Sequence, residues 1–315
     1  MTNSKTEYNE FIRANLPQGI TYNSDTNRYV VNEKPWVTFN QSEWYLEYIS
    51  KFGFSAATPT QELLNALLVD STQLIAHPLE YGSMFQDRAG TTPVTAPGQL
   101  VGHCLDAGGG GYHATAISDA ARGVYREEGG IRYIEYNGVN TAYSTPALPA
   151  PLVDKAQVFA GVRKLLDVES IIINHVGAFS AVGGLELFAA TSTSGNTALY
   201  GRSTEGSTGF AGVTIPNRAP VSYVEVGIVD YAQPAGSEFS LRTNGIAQAQ
   251  NIGLTQENTG LLGTGAIYYG SRGGVSRFFN GRHYDTLGPI TRFSAANATT
   301  EQIEAAEAYY TARVI

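Results

Sequence analysis

From Pro78 onward, apolar residues come in short runs of alternating polarity, each cut off by Gly, Asn, Ser, Asp or Pro. The segments IRYIEYNG, AQVFAGVRKL, SIIINHVGAF, GLELFAAT, TALYGRS, GFAGVTI, VSYVEVGIVDY, EFSLRT, AIYYGS and SRFFNG each read as a strand. Turn residues separate them at short intervals and no long helical pattern intervenes, which predicts antiparallel pairing in a sandwich or jelly roll. In VSYVEVGIVDY, the set Ser222, Val224, Val226 and Ile228 is more apolar than Val221, Tyr223, Glu225 and Gly227, so the two faces should meet different surroundings.

The period changes at both ends. Thr299 followed by Gln302 fits a capping box, with Ile303, Ala306 and Tyr310 on one face of a short closing helix expected on the edge or end of the sandwich. Near the start, Thr60 can open a helix in which Leu63, Leu64, Leu67, Leu68 and Leu74 recur near helical spacing, and Ser42 can cap another carrying Trp44, Tyr45, Tyr48 and Phe52. TYNSDTNRYVV reads as an Asx-rich turn entering a strand; the glycine and glutamate of a calcium loop are missing from it. The fold class is therefore mainly β: an antiparallel sandwich over residues 81–315, with a small mixed α/β region over 1–80 and a C-terminal helix.

Composition narrows the function classes. The net charge of −8 over 315 residues argues against a nucleic-acid surface, and charged residues make up only 15%. In their place stand 35 glycines, 19 tyrosines and many hydroxyl and amide side chains, a neutral surface suited to sugars or proteins. One cysteine allows no internal disulfide, and no apolar run is long enough to insert in a membrane. MTNSKTEYNEF lacks the basic and apolar regions of a secretory signal, so synthesis in a cytoplasm is expected.

GHCLDAGGGGYHATA gathers that cysteine, two of the five histidines and four consecutive glycines. A zinc site needs three or four ligands at close paired spacing, and on a strand His103 and Cys104 point to opposite faces. A phosphate loop would lead into a helix and carry Lys. A structural turn fits better, with Asp106 bonding the loop's N–H groups and His113 packing over it. Cys104 is expected to be inert, and neither a metal nor a cofactor is expected. No ExDxxE or GxSxG occurs, and Glu225 and Asp230 fall on opposite faces, so the chain does not read as an enzyme.

The stretch from Met84 to Gly138 resembles a recurring module of bacteriophage tail and virion proteins. The matching residues are Phe85–Asp87, Ala89–Thr95, Gly98, Val101, Gly102, Leu105, Asp106, the glycine loop, His113–Thr115, Ala120–Arg122, Tyr125 and Tyr136–Gly138, with FQDRAGTTPVT the most specific part. FFNGRHYDTLGPITRF and TTEQIEAAEAYY resemble the module's last strands and closing helix, so the resemblance covers roughly residues 81–315. The chain departs from it at Gly and Tyr112 in the loop, where the family carries Ser and Asn, and at Gly123, where it carries Pro.

The resemblance implies a concanavalin A-like, lectin-like sandwich on the outside of a virion. It further implies a tail-fibre adhesin that recognises host surface carbohydrate; a capsid decoration or head-fibre protein and a glycan hydrolase are the alternatives. Aromatic faces stack on sugars and polar groups orient them, which singles out Tyr268, Tyr269, Arg272, Arg277, His283, Tyr284 and Asp285 as a candidate glycan platform. Trp36, Phe39, Trp44, Tyr45 and Tyr48 crowd a segment too short to bury them, and are the candidate surface for attachment to other virion proteins and for homo-oligomerisation, a trimer by analogy with fibres.

Overall fold

The computed structural model describes residues 20–23, 28–31, 59–69, 73–149, 153–178, 181–189, 196–205, 209–214, 219–234, 236–247 and 260–314. The chain divides into two compact units, Met1–Thr58 and Pro59–Ile315. In the first, strands Ile20–Asn23 and Arg28–Val31 pair as an antiparallel hairpin. Trp36, Phe39, Trp44, Tyr45 and Tyr48 lie outside the described residues.

The second unit is an antiparallel β-sandwich. Among the described residues, one sheet has nine strands, in the order 209–214, 196–201, 185–189, 170–175, 267–269, 143–144, 114–116, 103–104 and 84–85. The other has ten, centred on the long strands Lys155–Lys164 and Val221–Asp230, which pair over their full length from Lys155–Asp230 to Lys164–Val221. Between the sheets lies one continuous core, built from Leu185, Leu187 and Leu199 on one side and Val158, Val162, Tyr223 and Val229 on the other. The expected strand SRFFNG begins only at Asn280: Arg277 has a φ of 51°, which breaks the extended run before it.

Two helices cover the far side of the ten-stranded sheet. Helix α1 (Pro59–Leu68) and helix α2 (Thr300–Thr311) bury Leu63, Leu64, Leu67, Ala306 and Tyr310 against Phe159, Val224, Val226 and Ile290. The C-terminal helix thus lies on a sheet face, not at an edge or end. Gly161 makes room for it, since a Cβ there would press on the Tyr310 ring. The more apolar face of Val221–Asp230 points to this helical layer, while Tyr223, Glu225 and Gly227 point between the sheets. At the start of α2, Thr299 Oγ1 accepts from Gln302 N and the Gln302 side chain accepts from Thr299 N, the expected capping box.

Helix α1 thus belongs to the compact unit Pro59–Ile315 that holds the sandwich. Arg292, fully buried, donates to the Leu67 and Val69 carbonyls at the end of α1, to Gln157 Oε1 (2.6 Å) and to the Ala296 carbonyl. These bonds satisfy carbonyls that the helix end leaves without intrahelical partners, and they tie α1 to the sheet.

Candidate functional site

The far side of the nine-stranded sheet is the sandwich face that neither helix covers. Residues such as Met84, Cys104, Ala114, Tyr143, Ile267, Leu187 and Leu199 point into the core, so their neighbours along each strand point outward. Register lines these outward residues up in a single row, one per strand. Phe85 stands opposite His103, His103 opposite Thr115, Thr115 opposite Ser144, and Ser144 opposite Tyr268. The row continues through Asn174, Glu186 and Tyr200 to the backbone position of Phe210.

The two halves of the row differ. From Phe85 to Tyr268 the side chains are all half-buried and carry neither carboxylate nor guanidinium. At a strand spacing of about 4.8 Å this half is roughly 19 Å long. His103 Nδ1 lies 2.9 Å from Thr115 Oγ1, and its ring meets those of Phe85 and His113 at 5.9 and 5.5 Å. Burial, and then His113, lower the His103 pKa, so the imidazole is held neutral at physiological pH.

The other half is covered by the turn that follows Tyr269. Arg272 reaches back to make a bidentate pair with Glu186 (2.8 and 3.1 Å), its guanidinium 5.4 Å from the centre of the Phe188 ring. Asn174 donates to Glu186 Oε1 (2.8 Å) and accepts from Gly273 N (3.2 Å). Burial raises the Glu186 pKa and Arg272 opposes the rise. Phe188 and Tyr200 pack at 4.8 Å beside this network.

The motif stretch builds the near end of the row. Asp87 accepts from Thr91 N and Thr92 N (3.1 and 2.5 Å), and Arg122 donates to the Gln86 carbonyl, which holds the hairpin carrying Phe85. Asp106 accepts from Ala76 N, Gly108 N and Tyr112 N, and His113 Nδ1 accepts from Asp106 N at 2.9 Å. A Cβ on Gly108 would collide with the Leu74 carbonyl. The Gly-rich stretch from Gly102 to Ala116 is thus a pinned turn, as its residues suggest. Cys104 is fully buried, and burial pushes its thiol well above the usual range, which leaves it little thiolate.

Of the seven platform residues expected from sequence, the structure brings Tyr268 and Arg272 together on this face. Tyr269, one position on, points into the core against His77 at 5.3 Å. His283 is also interior, between Tyr136 and Phe279, and burial takes its pKa down to about 3. Tyr284 is fully buried and packs on Tyr133, its partner on the neighbouring strand of the same sheet. Asp285 is held by Arg313 and by the Tyr309 hydroxyl in the helical layer. Arg277 is exposed and paired with Glu169. Tyr269, His283 and Tyr284 therefore offer no stacking surface, and Asp285 lies on the far side of the molecule. Sequence reasoning missed Phe85, His103, Thr115, Ser144, Asn174, Glu186 and Tyr200; strand alternation was the available signal, but it does not say which strands are neighbours.

No family model matches the chain, and no curated protein matches it in sequence. Among solved structures it is similar to the receptor-binding domain of botulinum neurotoxin type G, at 11% identity and a TM-score of 0.45, over 77% of this chain and 51% of that one. The chain thus spans about half the length of that neighbour. It is also similar to a mutant GH54 α-L-arabinofuranosidase (14%, TM-score 0.47, 81% of this chain and 65% of the other). A third similarity is to domain 4 of the arabinanase AbnA from Geobacillus stearothermophilus (14%, TM-score 0.43, 67% and 100%).

Proposed function

We propose that this chain is a virion protein of a bacteriophage, a tail-fibre or receptor-binding adhesin whose sandwich binds host surface glycans without catalysis. The observation that carries the binding reading is the row itself: aromatic, hydroxyl and imidazole groups presented side by side on one sheet face, with no carboxylate or guanidinium among the row residues from Phe85 to Tyr268. Such a surface stacks on sugar faces and bonds hydroxyls without having to strip water from ions. Glycoside hydrolysis needs two carboxyl groups across the scissile bond. Among the described residues of the row Glu186 is the one carboxylate, and it is committed to Arg272 and Asn174. The virion assignment rests on the resemblance of residues 81–315, whose FQDRAGTTPVT segment shapes the near end of the row. Display on the outside of the particle, attachment through the first unit and trimeric assembly belong to the same proposal.

The test is binding of the purified full chain to an array of host surface glycans, repeated with Tyr268→Ala. Loss of one stacking face is expected to cost about 1–3 kcal/mol, so binding weakens roughly ten- to a hundredfold while the fold still melts cooperatively. A wild-type chain that binds no glycan, together with its localisation to the capsid of intact particles, would refute the adhesin in favour of a decoration protein.

A further inference from the structure

The space between the sheets holds a polar group that the binding face does not use. Glu225 lies on the inward side of Val221–Asp230 and is fully buried, and neither of its carboxyl oxygens has a hydrogen-bond partner. Two residues back on the same face, the Tyr223 hydroxyl is buried without a partner. Directly opposite Glu225 on the next strand, Thr243 buries a hydroxyl that also lacks one. On the strand at the other side, Glu225 stands opposite Ala160. From the facing sheet, the Thr197 hydroxyl comes close enough to lower the Glu225 pKa, but its proton goes to the Phe188 carbonyl (2.7 Å) and its oxygen is left only to accept.

Buried polar atoms without partners cost free energy that native proteins rarely leave uncompensated. Here four of them, on neighbouring positions of two paired strands, face the same interior. We propose that Glu225, Tyr223 and Thr243 form an internal hydration site, in which ordered water bridges the Glu225 carboxyl to the two hydroxyls between the sheets. Water fits this set because it both donates and accepts: it gives protons to the carboxyl's lone pairs, takes the carboxyl's own proton when the group is neutral, and takes those of Tyr223 and Thr243. A monovalent cation would use only lone pairs and leave both hydroxyl protons without an acceptor. The site is independent of the glycan face, because none of its residues belongs to the row.

The experiment is a crystal structure of the full chain at a resolution that places ordered water, with melting temperatures measured in sodium, potassium and choline chloride at equal ionic strength. Solvent density within hydrogen-bond reach of Glu225 and at least one of the two hydroxyls is expected, with the same melting temperature in all three salts. In Glu225→Gln the solvent stays; in Glu225→Leu it is lost. A carboxyl packed directly on Tyr223 or Thr243 with no solvent would overturn the proposal, as would a melting temperature raised by sodium or potassium over choline. Should the leucine variant not fold, the wild type and the glutamine variant decide the matter.

Discussion

Replacing Glu225 by Gln should change the pH dependence of stability more than stability itself. Burial pushes the Glu225 pKa up to about 8 from an ordinary value of 4.5. A carboxyl whose pKa is raised by folding binds its proton more tightly in the native state. Its contribution is therefore full below about pH 4.5, falls as pH rises, and is gone above about pH 8. At ~1.4 kcal/mol per pH unit, a shift of that size corresponds to about 5 kcal/mol across the whole window, of which about 3 kcal/mol falls between pH 5 and pH 7.5. Gln keeps the shape of the side chain and cannot ionise. Urea midpoints at the two pH values, for wild type and Glu225→Gln, give the difference of differences, which cancels any constant cost of the amide. It also cancels the opposite trend from His175 and His283, whose lowered pKa values make the fold lose stability as pH falls below about 6.5. The variant should gain about 3 kcal/mol on the wild type between the two conditions. Parallel pH profiles would mean that Glu225 enters the fold ionised, and would refute the reasoning.

Asp106→Ala strands three backbone N–H groups, on Ala76, Gly108 and Tyr112, and should destabilise by about 2–3 kcal/mol in urea unfolding, with Asp106→Asn recovering part of the loss. Arg292→Met strips a donor from the Leu67 and Ala296 carbonyls and from Gln157 Oε1, and leaves Val69 O with Gln302 alone; about 3 kcal/mol should be lost, and limited proteolysis should cut first at α1. A cost under ~1 kcal/mol would mean that α1 is held by its leucines alone. Cys104 should resist thiol labelling in the native state and react only on unfolding.

Local signals in the sequence were legible because they act within a few residues. Alternation and turn chemistry mark most of the strands, Thr299 and Gln302 mark a helix start, and Asp106 next to four glycines marks a pinned loop. The layer that each face meets was not legible. Val224, Val226 and Ile228 read as a core face, yet their cover is a pair of helices that lie far apart in sequence. The candidate face was half legible for the same reason. Alternation says that Tyr268 and Tyr269 face opposite ways, but only the strand order, which sets 267–269 between 170–175 and 143–144, says which one faces out and beside what.

The one-residue-per-strand row has a consequence for divergence. Thr115 sits between Ala114 and Ala116, Glu186 between Leu185 and Leu187, and Tyr268 between Ile267 and Tyr269, and every one of those flanking residues is buried. A change of specificity can therefore proceed by isolated codons, each hemmed in by neighbours that packing does not let vary. On the proposed reading of the row as a binding face, related chains should differ at scattered single positions inside otherwise constant strands, rather than in blocks of loop sequence.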